Sequence, residues 1–357
     1  MHDHPPLANG AVDVGASPVV LTTPDGEIEL TPTAGGRIRI TLKPRDPDLY
    51  IPRRTCETSH PQEIELFLNG GSSFAWLCDA ISRHEEPNEV QGVLMRQLFA
   101  YVEPKAYQGA RMLDFGCGGG ASTFSMAEFL PETEIVGLEL DPLRVELCQN
   151  IAARRGTPNV RFLVSPSGDT VPSQIGKFDF IMFSAVYEHL LPNERRALMP
   201  RLWALLNPGG VLFINQTPHR WVPYEHHSTG LWGINYLPDR LAHWYARNFS
   251  RVNSESNRST DWNAHLRGGL RGGTERGIIA DLTAGSQAHG VILQPTAAGH
   301  RDRADYWLAG TSQRFRSVKR GIASVFRICD RLFDTIPALN VDVAIRKELS
   351  NAPNTLR

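Results

Sequence analysis

The chain has 357 residues, more than one typical domain, and carries 37 basic against 38 acidic side chains for a formal net charge of −1. That balance offers no electrostatic case for a nucleic-acid partner, and no apolar run approaches the roughly 18 residues needed to span a bilayer. The cysteines (Cys56, Cys78, Cys117, Cys148, Cys329) are odd in number, widely spread and without a C-x-x-C pair, as expected of reduced thiols in a cytoplasmic protein. Met1-His2-Asp3-His4-Pro5-Pro6 has neither a basic region nor an apolar core, so it does not read as a secretory signal.

Residues 1–60 are rich in Pro, Gly and Thr. Alternating stretches at Glu27–Leu30 and Arg37–Thr41, separated by Thr33-Ala34-Gly35-Gly36, predict a hairpin in an appended arm. Residues 61–108 are predicted to be mostly helical, with apolar groups Ile64, Leu66, Phe67, then Trp76, Leu77, Ile81, then Val93, Leu94, Leu98, Val102. From residue 109 strand and helix alternate, which predicts a doubly wound α/β sheet. Ala110–Leu113 is its first strand; a glycine-rich turn leads into a helix with Phe124, Ala127 and Leu130 on one face; Glu134–Leu138 is the second strand. Asp141 can cap the next helix with Pro142 in first position, and Leu143, Leu147 and Ile151 form its expected buried stripe. Val160–Val164 and Phe178–Phe183 are the third and fourth strands. A helix from about Asn193 buries Leu198, Leu202 and Leu205 and stops at Asn207-Pro208-Gly209-Gly210, before a fifth strand, Val211–Ile214. A helix near Glu275–Leu282 precedes a sixth strand at Val291–Leu293, and Val341–Ile345 is the seventh.

Between the last two strands, Arg314–Phe333 puts Phe315, Val318, Ile322, Val325, Phe326, Cys329 and Phe333 on one helical face. Arg316, Arg320, Arg327 and Arg331 fall broadly opposite. Two readings stand: a helix packed on the domain with a solvated basic face, or a basic face docked on an anionic membrane or a phosphate-bearing acceptor.

The chemistry concentrates around Met112-Leu113-Asp114-Phe115-Gly116-Cys117-Gly118-Gly119-Gly120. Glycine lets the backbone lie against a ligand, and a helix start offers unpaired N–H groups to an anion. Glu139, at the end of the second strand, is placed to accept hydrogen bonds from ribose hydroxyls. A dinucleotide fingerprint has glycines at G-x-G-x-x-G, whereas here Asp114 precedes Gly116, Gly118 and Gly120. That D-x-G-x-G-x-G pattern resembles motif I of the class I S-adenosylmethionine-dependent methyltransferases. Val136–Pro142, Phe178–Ser184 with Tyr187–Leu190, and Leu205–Phe213 resemble further segments of the same family in the same order.

The resemblance covers residues 109–220 well and 275–347 in outline. It implies a Rossmann-like, doubly wound seven-stranded sheet, mostly parallel with the last strand antiparallel, in a methyltransferase domain over 109–347 with helical additions. It implies S-adenosylmethionine as cofactor, held by Asp114, Gly116, Cys117, Gly118, Glu139 and Leu140, with Cys117 a small spacer rather than a nucleophile and helices 61–108 as a cap. One departure stands out. Where the family often has Gly-Asp to receive the adenine amino group, this chain has Ser165-Pro166-Ser167-Gly168-Asp169 with the pair displaced. Ser167 or a backbone carbonyl is left for that role, and Asp169 is either its partner or a turn residue.

Methyl transfer from a sulfonium is an in-line displacement, so positioning and water exclusion carry much of it. Oxygen and nitrogen acceptors often also need a base within hydrogen-bond reach. Glu188 and His189 follow the fourth strand and could supply one, with His189 read rather as a helix cap or a buttress of the cofactor loop. The loop from Asn215 to Gly230 holds His219, Trp221, Tyr224, Glu225, His226 and His227, and His226 and His227 are the leading catalytic candidates. Similar Pro–x–Glu–His–His–x–x–Gly loops occur in bacterial methyltransferases of small-molecule and glycan pathways, which implies such an acceptor under a lid at 217–274. A metal on Glu225, His226 and His227 competes with this, as does a purely structural loop. Adjacent residues rarely bind one ion well and no partner cluster shows at ligand spacing, so no metal is expected. Residues 298–337 are a basic amphipathic insertion and 348–357 a tail. A non-catalytic binding member of the fold and a nicotinamide-dependent oxidoreductase remain as alternatives, the latter opposed by the glycine spacing. Ser184-Ala185-Val186-Tyr187 also departs from the Asn/Asp-Pro-Pro-aromatic segment of enzymes that methylate nucleobase amino groups.

Overall fold

The structure, a computed structural model, describes residues 17–349 apart from 71, 72, 87 and 253. The N-terminal hexapeptide and the tail from residue 350 lie outside the described residues. The strands are β1 (Val19–Thr23), β2 (Gly26–Pro32), β3 (Ile38–Pro44), β4 (Thr55–Thr58), β5 (Arg111–Phe115), β6 (Glu134–Glu139), β7 (Val160–Val164), β8 (Phe178–Ser184), β9 (Leu206–Pro218), β10 (Tyr224–Glu225), β11 (Leu231–Trp232), β12 (Ala288–Ile292) and β13 (Asn340–Leu349). The main sheet has seven strands in the order β12-β13-β9-β8-β5-β6-β7. The pairs β5/β8, β6/β7 and β8/β9 are parallel, and β13 runs antiparallel to both β9 and β12. This is the α/β sheet that the alternation of elements predicts, mostly parallel with an antiparallel last strand as the family resemblance implies. Among the described residues no helix is long and apolar enough to cross a membrane.

By its internal contacts the chain divides into two compact units. One contains residues up to Met95 together with Cys117–Val164. In it β1–β4 form an antiparallel sheet in which β2 pairs with β3 around the turn at Thr33–Gly36. Strand alternation sends Ile28, Leu30, Ile38, Ile40 and Leu42 inward and Glu27 and Arg39 outward. The inward face shares one core with Ile64, Phe67, Leu77 and Ile81 and with Phe124, Leu147, Cys148 and Ile151, so residues 19–58 are built into this unit. The Pro142–Arg155 helix starts as its sequence predicts, with Asp141 accepting from the Leu143 amide at 3.0 Å. Its buried stripe differs. Leu143 is 53% exposed, and Val145, Leu147, Cys148 and Ile151 face the core. Residues four apart advance about 40° around a helix, so a row begun at Leu143 drifts off the buried face.

The other unit contains Arg96–Gly116 and the chain from Ser165 onward. The inner strands β8 and β9 are covered on both sides, hence the nearly continuous burial of Phe180, Ile181, Met182 and Phe183 and of Leu212, Phe213 and Ile214. The Pro192–Leu205 helix starts with proline in first position and Glu194 accepting from the Leu191 amide at 2.9 Å. It buries Leu198, Leu202 and Trp203, whereas Leu205 is only half-buried. Its expected stop is confirmed, but Asn207–Gly210 is strand rather than loop. The β8/β9 register jumps from Phe178↔Leu206 to Phe180↔Val211, so the extra residues bulge out of the ladder. Lys347 of β13 donates to the carbonyls of Trp203 (2.5 Å) and Leu206 (2.7 Å), satisfying the end of that helix. The sixth strand begins earlier than expected, at Ala288, and Leu293 continues its pairing through an amide bond to Ala344 O at 2.9 Å.

The Arg316–Phe333 helix forms with its faces turned otherwise than expected. Ala323 and Phe326 pack against Ala304, Leu308 and Ile336. Phe315, Val318 and Val325 of the apolar face are 65%, 62% and 55% exposed. The basic side is partly engaged: Arg327 pairs with Asp302 at 2.7 Å and Asp305 at 3.6 Å, and Arg316 donates to Leu308 O. Asp302 and Asp305 of the preceding segment hold Arg327 inward, while Arg320 and Arg331 stay exposed and much of the apolar row faces solvent.

Candidate active site

In the first unit β6 delivers Glu139 to the glycine-rich turn. Its Oε2 accepts from the Gly118 amide at 2.9 Å and its Oε1 from the Asp141 amide at 3.1 Å. Gly116, Gly118 and Gly120 all have left-handed backbones, with φ of 70°, 56° and 88°, where a side chain is strained. Their surroundings differ. A Cβ on Gly120 would meet Cys148 Sγ at 2.8 Å, so that glycine serves packing, whereas one on Gly118 would find only Arg144 Nη1, at 3.7 Å. Cys117 is buried and its amide bonds to Leu138 O, in keeping with a spacer. Leu140 lies exposed beside Glu139.

A residue without any local signal holds this turn. His84 Nε2 lies 2.9 Å from Gly119 O, and because a carbonyl only accepts, Nε2 carries the proton. The ring packs against Phe67 and Phe124, and its desolvation pushes the pKa down to about 3. The imidazole therefore stays neutral and fixed as a donor near neutral pH. The pattern of residues 61–108 marks a helix there, and nothing in it marks His84 as the turn's support.

These residues fit a nucleoside. A carboxylate has about four lone-pair positions; two on Glu139 hold the backbone, which leaves acceptor capacity for a ribose diol. The open surface over Gly118 leaves the backbone approachable.

In the second unit Asp114 is buried on β5, and Gly116 backs onto Val186, whose Cγ2 would lie 2.6 Å from a Cβ there. Ser167 is committed to its own turn, 2.7 Å from Asp169 Oδ1 and 2.6 Å from Thr170 Oγ1, and Asp169 thereby reads as a turn residue. After β8, Ala185 takes a left-handed backbone (φ 52°) and the short Tyr187–His189 helix carries Glu188 inward to 0% exposure. Thr217 of β9 donates to Glu188 Oε2 at 3.0 Å, while Oε1 has no hydrogen-bond partner among the described residues. Burial raises the Glu188 pKa above the usual carboxylate range.

Three side chains converge there. The donor atoms of Glu188, His189 and His227 all lie within 4.8 Å of one another, and the two imidazole rings are 5.6 Å apart. Glu188 and His227 thus meet although 39 positions separate them in the numbering; His226 is not in this group. Desolvation and the neighbouring His189 lower the His227 pKa. The sequence shows no partner cluster at ligand spacing, yet the fold makes one, because His227 is brought to the neighbouring Glu188 and His189.

Glu225, the third member of the sequence-based metal alternative, is the organiser of its loop. It accepts from the amides of His227 (2.8 Å), Ser228 (2.9 Å) and Thr229 (2.6 Å) and from both hydroxyls. Burial would raise its pKa, yet the Thr229 hydroxyl and these amides hold it below the usual range. His219 is likewise architectural, buried at 3.2 Å from Glu275.

The sheet order, the left-handed glycine turn and the carboxylate that receives its amide are the arrangement that the resemblance to class I S-adenosylmethionine-dependent methyltransferases implies. A family profile described as a methyltransferase domain matches residues 112–210. A trans-aconitate 2-methyltransferase of Methylobacterium radiotolerans is 34% identical over 29% of this chain and 36% of its own. A ubiquinone biosynthesis O-methyltransferase of Xanthomonas axonopodis pv. citri is 30% identical over 44% of this chain and 63% of its own. The chain therefore spans 36% and 63% of the length of these two relatives. Among solved structures, PKMT2 from Rickettsia typhi in complex with AdoHcy is 15% identical and covers 76% of this chain and 54% of that one, at a TM-score of 0.42.

Proposed function

We propose that the protein transfers a methyl group from S-adenosylmethionine to an oxygen or nitrogen of a small-molecule or glycan-type acceptor. The observation that carries this reading is the Glu139 carboxylate bonded to the Gly118 amide beside an open backbone surface. In it Glu139 receives the ribose hydroxyls and Leu140 lines the nucleoside. The turn of Gly116, Cys117 and Gly118, following Asp114, receives the amino-acid end. The commitment of Ser167 to its own turn favours a backbone group as adenine partner.

S-adenosylmethionine, when bound, supplies a methyl group already activated on a sulfonium. The remaining work is that of the chain: to hold the acceptor in line, exclude water and take the acceptor's proton. The acceptor lone pair forms the new bond to the methyl carbon, and the electron pair of the broken carbon–sulfur bond stays on sulfur. Glu188 and His227 suit the acceptor side better than His226, because they converge. Both relatives carry methyltransferase names involving small molecules, which supports that acceptor class over a macromolecular one.

Calorimetry tests the reading. Native protein is expected to bind S-adenosylmethionine and not NAD, which separates it from an oxidoreductase, and turnover to S-adenosylhomocysteine separates it from a non-catalytic member. Glu139→Ala is expected to weaken cofactor binding at least about tenfold, since charge-assisted hydrogen bonds contribute roughly 1.5–3 kcal/mol. Unchanged affinity in that variant would remove the assignment.

We also propose that the Arg316–Phe333 helix rests on an anionic lipid surface. Its exposed Val318, Ile322, Val325 and Leu332 offer an insertable face, and the exposed Arg320 and Arg331 offer charge complementary to anionic headgroups.

A further inference from the structure

We propose that Glu188, His189 and His227 bind one divalent transition-metal ion of the Zn2+ type. Three independent features point there. The first is convergence: Glu188 and His189, neighbours on the Tyr187–His189 helix, and His227, from the loop after β10, bring their donor atoms within 4.8 Å of one another.

The second is the unanswered charge of Glu188. Its side chain is 0% exposed, its Oε2 is satisfied by Thr217, and its Oε1 meets no donor among the described residues. The His189 Nε2 that faces Oε1 stands at 3.9 Å, beyond a hydrogen bond. A carboxylate oxygen taken out of water without a partner is costly, and a cation is the natural counterpart.

The third is the shell behind the donors. His189 Nδ1 lies 2.7 Å from Arg267 O, so Nδ1 bears the proton and the Nε2 lone pair is turned toward Glu188. A ligating histidine that donates its other N–H to a backbone carbonyl is the usual arrangement of a metal site. Thr217 fixes the carboxylate in the same way. His227 is held by its amide bond to Glu225 and by the Gly269 backbone, on which a Cβ would come within 2.5 Å of the ring.

Bonds of about 2.0–2.1 Å in a tetrahedral site put neighbouring donors about 3.4 Å apart. The 3.9 Å between His189 and Glu188, and the other donor separations within 4.8 Å, would contract toward that on binding an ion. Two imidazole nitrogens with one carboxylate suit Zn2+ and its neighbours, whereas Mg2+ prefers oxygen alone. Three protein ligands leave a coordination position open. Resting on the methyltransferase reading, that position is for an ionisable acceptor oxygen, an enol, a phenol or a carboxylate. The acceptor proton leaves to solvent, and the oxygen keeps the pair that attacks the methyl carbon.

The test uses the full chain stripped with EDTA and titrated with Co2+, whose visible bands report tetrahedral nitrogen and oxygen ligation, followed by competition with Zn2+ and with Mg2+. One Co2+ per chain is expected, displaced by Zn2+ and not by Mg2+. Glu188→Gln, His189→Ala and His227→Ala should each weaken binding at least about tenfold, and Thr217→Val, behind the carboxylate, by about ten- to a hundredfold. His226→Ala should bind Co2+ as the native chain does. Glu188→Gln preserves shape, and the histidines are partly exposed, so a cofactor-binding check on each variant confirms that it is folded. Absence of the bands, or bands that survive Glu188→Gln and His227→Ala, overturns the proposal. Stripped protein that binds S-adenosylmethionine but not Co2+ refutes the ion and leaves the methyltransferase reading standing. Co2+ binding without S-adenosylmethionine binding supports the ion and refutes that reading.

Discussion

His84 shows how one side chain far along the sequence can govern a ligand turn. Its N–H is the donor for Gly119 O, and the ring is held neutral by its desolvated setting. Replacing it with leucine keeps the apolar contact to Phe67 and Phe124 and removes the hydrogen bond, a net loss of roughly 0.5–1.5 kcal/mol. His84→Leu is therefore expected to weaken S-adenosylmethionine binding by about twofold to tenfold, read by calorimetry. The same residue sets a pH dependence. Its ordinary pKa of 6.5 falls to about 3 in the fold, so the unfolded chain takes up a proton that the folded chain refuses. Stability from this site is fully present above pH 6.5 and is lost as pH falls from 6.5 toward 3. The leucine variant should lose less melting temperature than the native chain over that window; parallel melting curves would show that His84 is not the titrating group.

At the scale of elements, the Arg316–Phe333 helix separates two kinds of arginine. Arg327 is paired with Asp302 and Asp305, so Arg327→Glu sets three carboxylates together and is expected to lower the melting temperature. Arg320 and Arg331 are exposed, and reversing both should leave stability within a few degrees. If the helix rests on lipid, the protein sediments with vesicles containing anionic lipid at low salt. Binding should then fall in the Arg320 and Arg331 reversal, in Val318→Asp with Val325→Asp, and at high salt. The Debye length shrinks from about 10 Å at 0.1 M to about 3 Å at 1 M. Protein that stays in the supernatant with anionic vesicles at low salt would end the lipid proposal.

At the scale of the second unit, a buried ionic network ties distant segments together. Glu275, fully buried, accepts from His219 (3.2 Å), from Arg303 (2.5 Å), from the Ile336 amide (2.9 Å) and from the Thr335 hydroxyl. Arg303 reaches on to Asp330 at 2.8 Å. Burial alone would raise the Glu275 pKa, yet His219, Arg303 and Thr335 bring it to about 2. Its contribution to stability is present above the ordinary 4.5 and is lost as pH falls from 4.5 toward 2. Arg303→Ala leaves the buried Glu275 and the half-buried Asp330 without their cation and is expected to cost about 3–5 kcal/mol, measured by denaturant titration. A loss below about 1 kcal/mol would show that the network is not holding the unit together.

Much of this was legible in the chain because it is local. Glycines two apart, an Asp-Pro helix start and alternating apolar strands act through backbone sterics and nearest neighbours. The turn at Gly116–Gly120, the cap at Asp141 and the strand carrying Glu139 follow from short stretches of residues, whereas the antiparallel direction of the last strand was implied only by the family resemblance. Periodicity, however, gives a helix a stripe without saying what covers it. Leu143 lies outside its stripe, and the Arg316–Phe333 helix turned Arg327 toward Asp302 and Asp305, partners that no helical spacing specifies. The candidate site divides in the same way. Glu139 beside Gly118 is readable from a strand and a turn, but the support of Gly119 by His84, and the meeting of Glu188, His189, Thr217 and His227, exist only once separate elements are packed. Sequence separation carries no information on which side chains share a buried point; burial and the demand that each buried polar atom find a partner decide it.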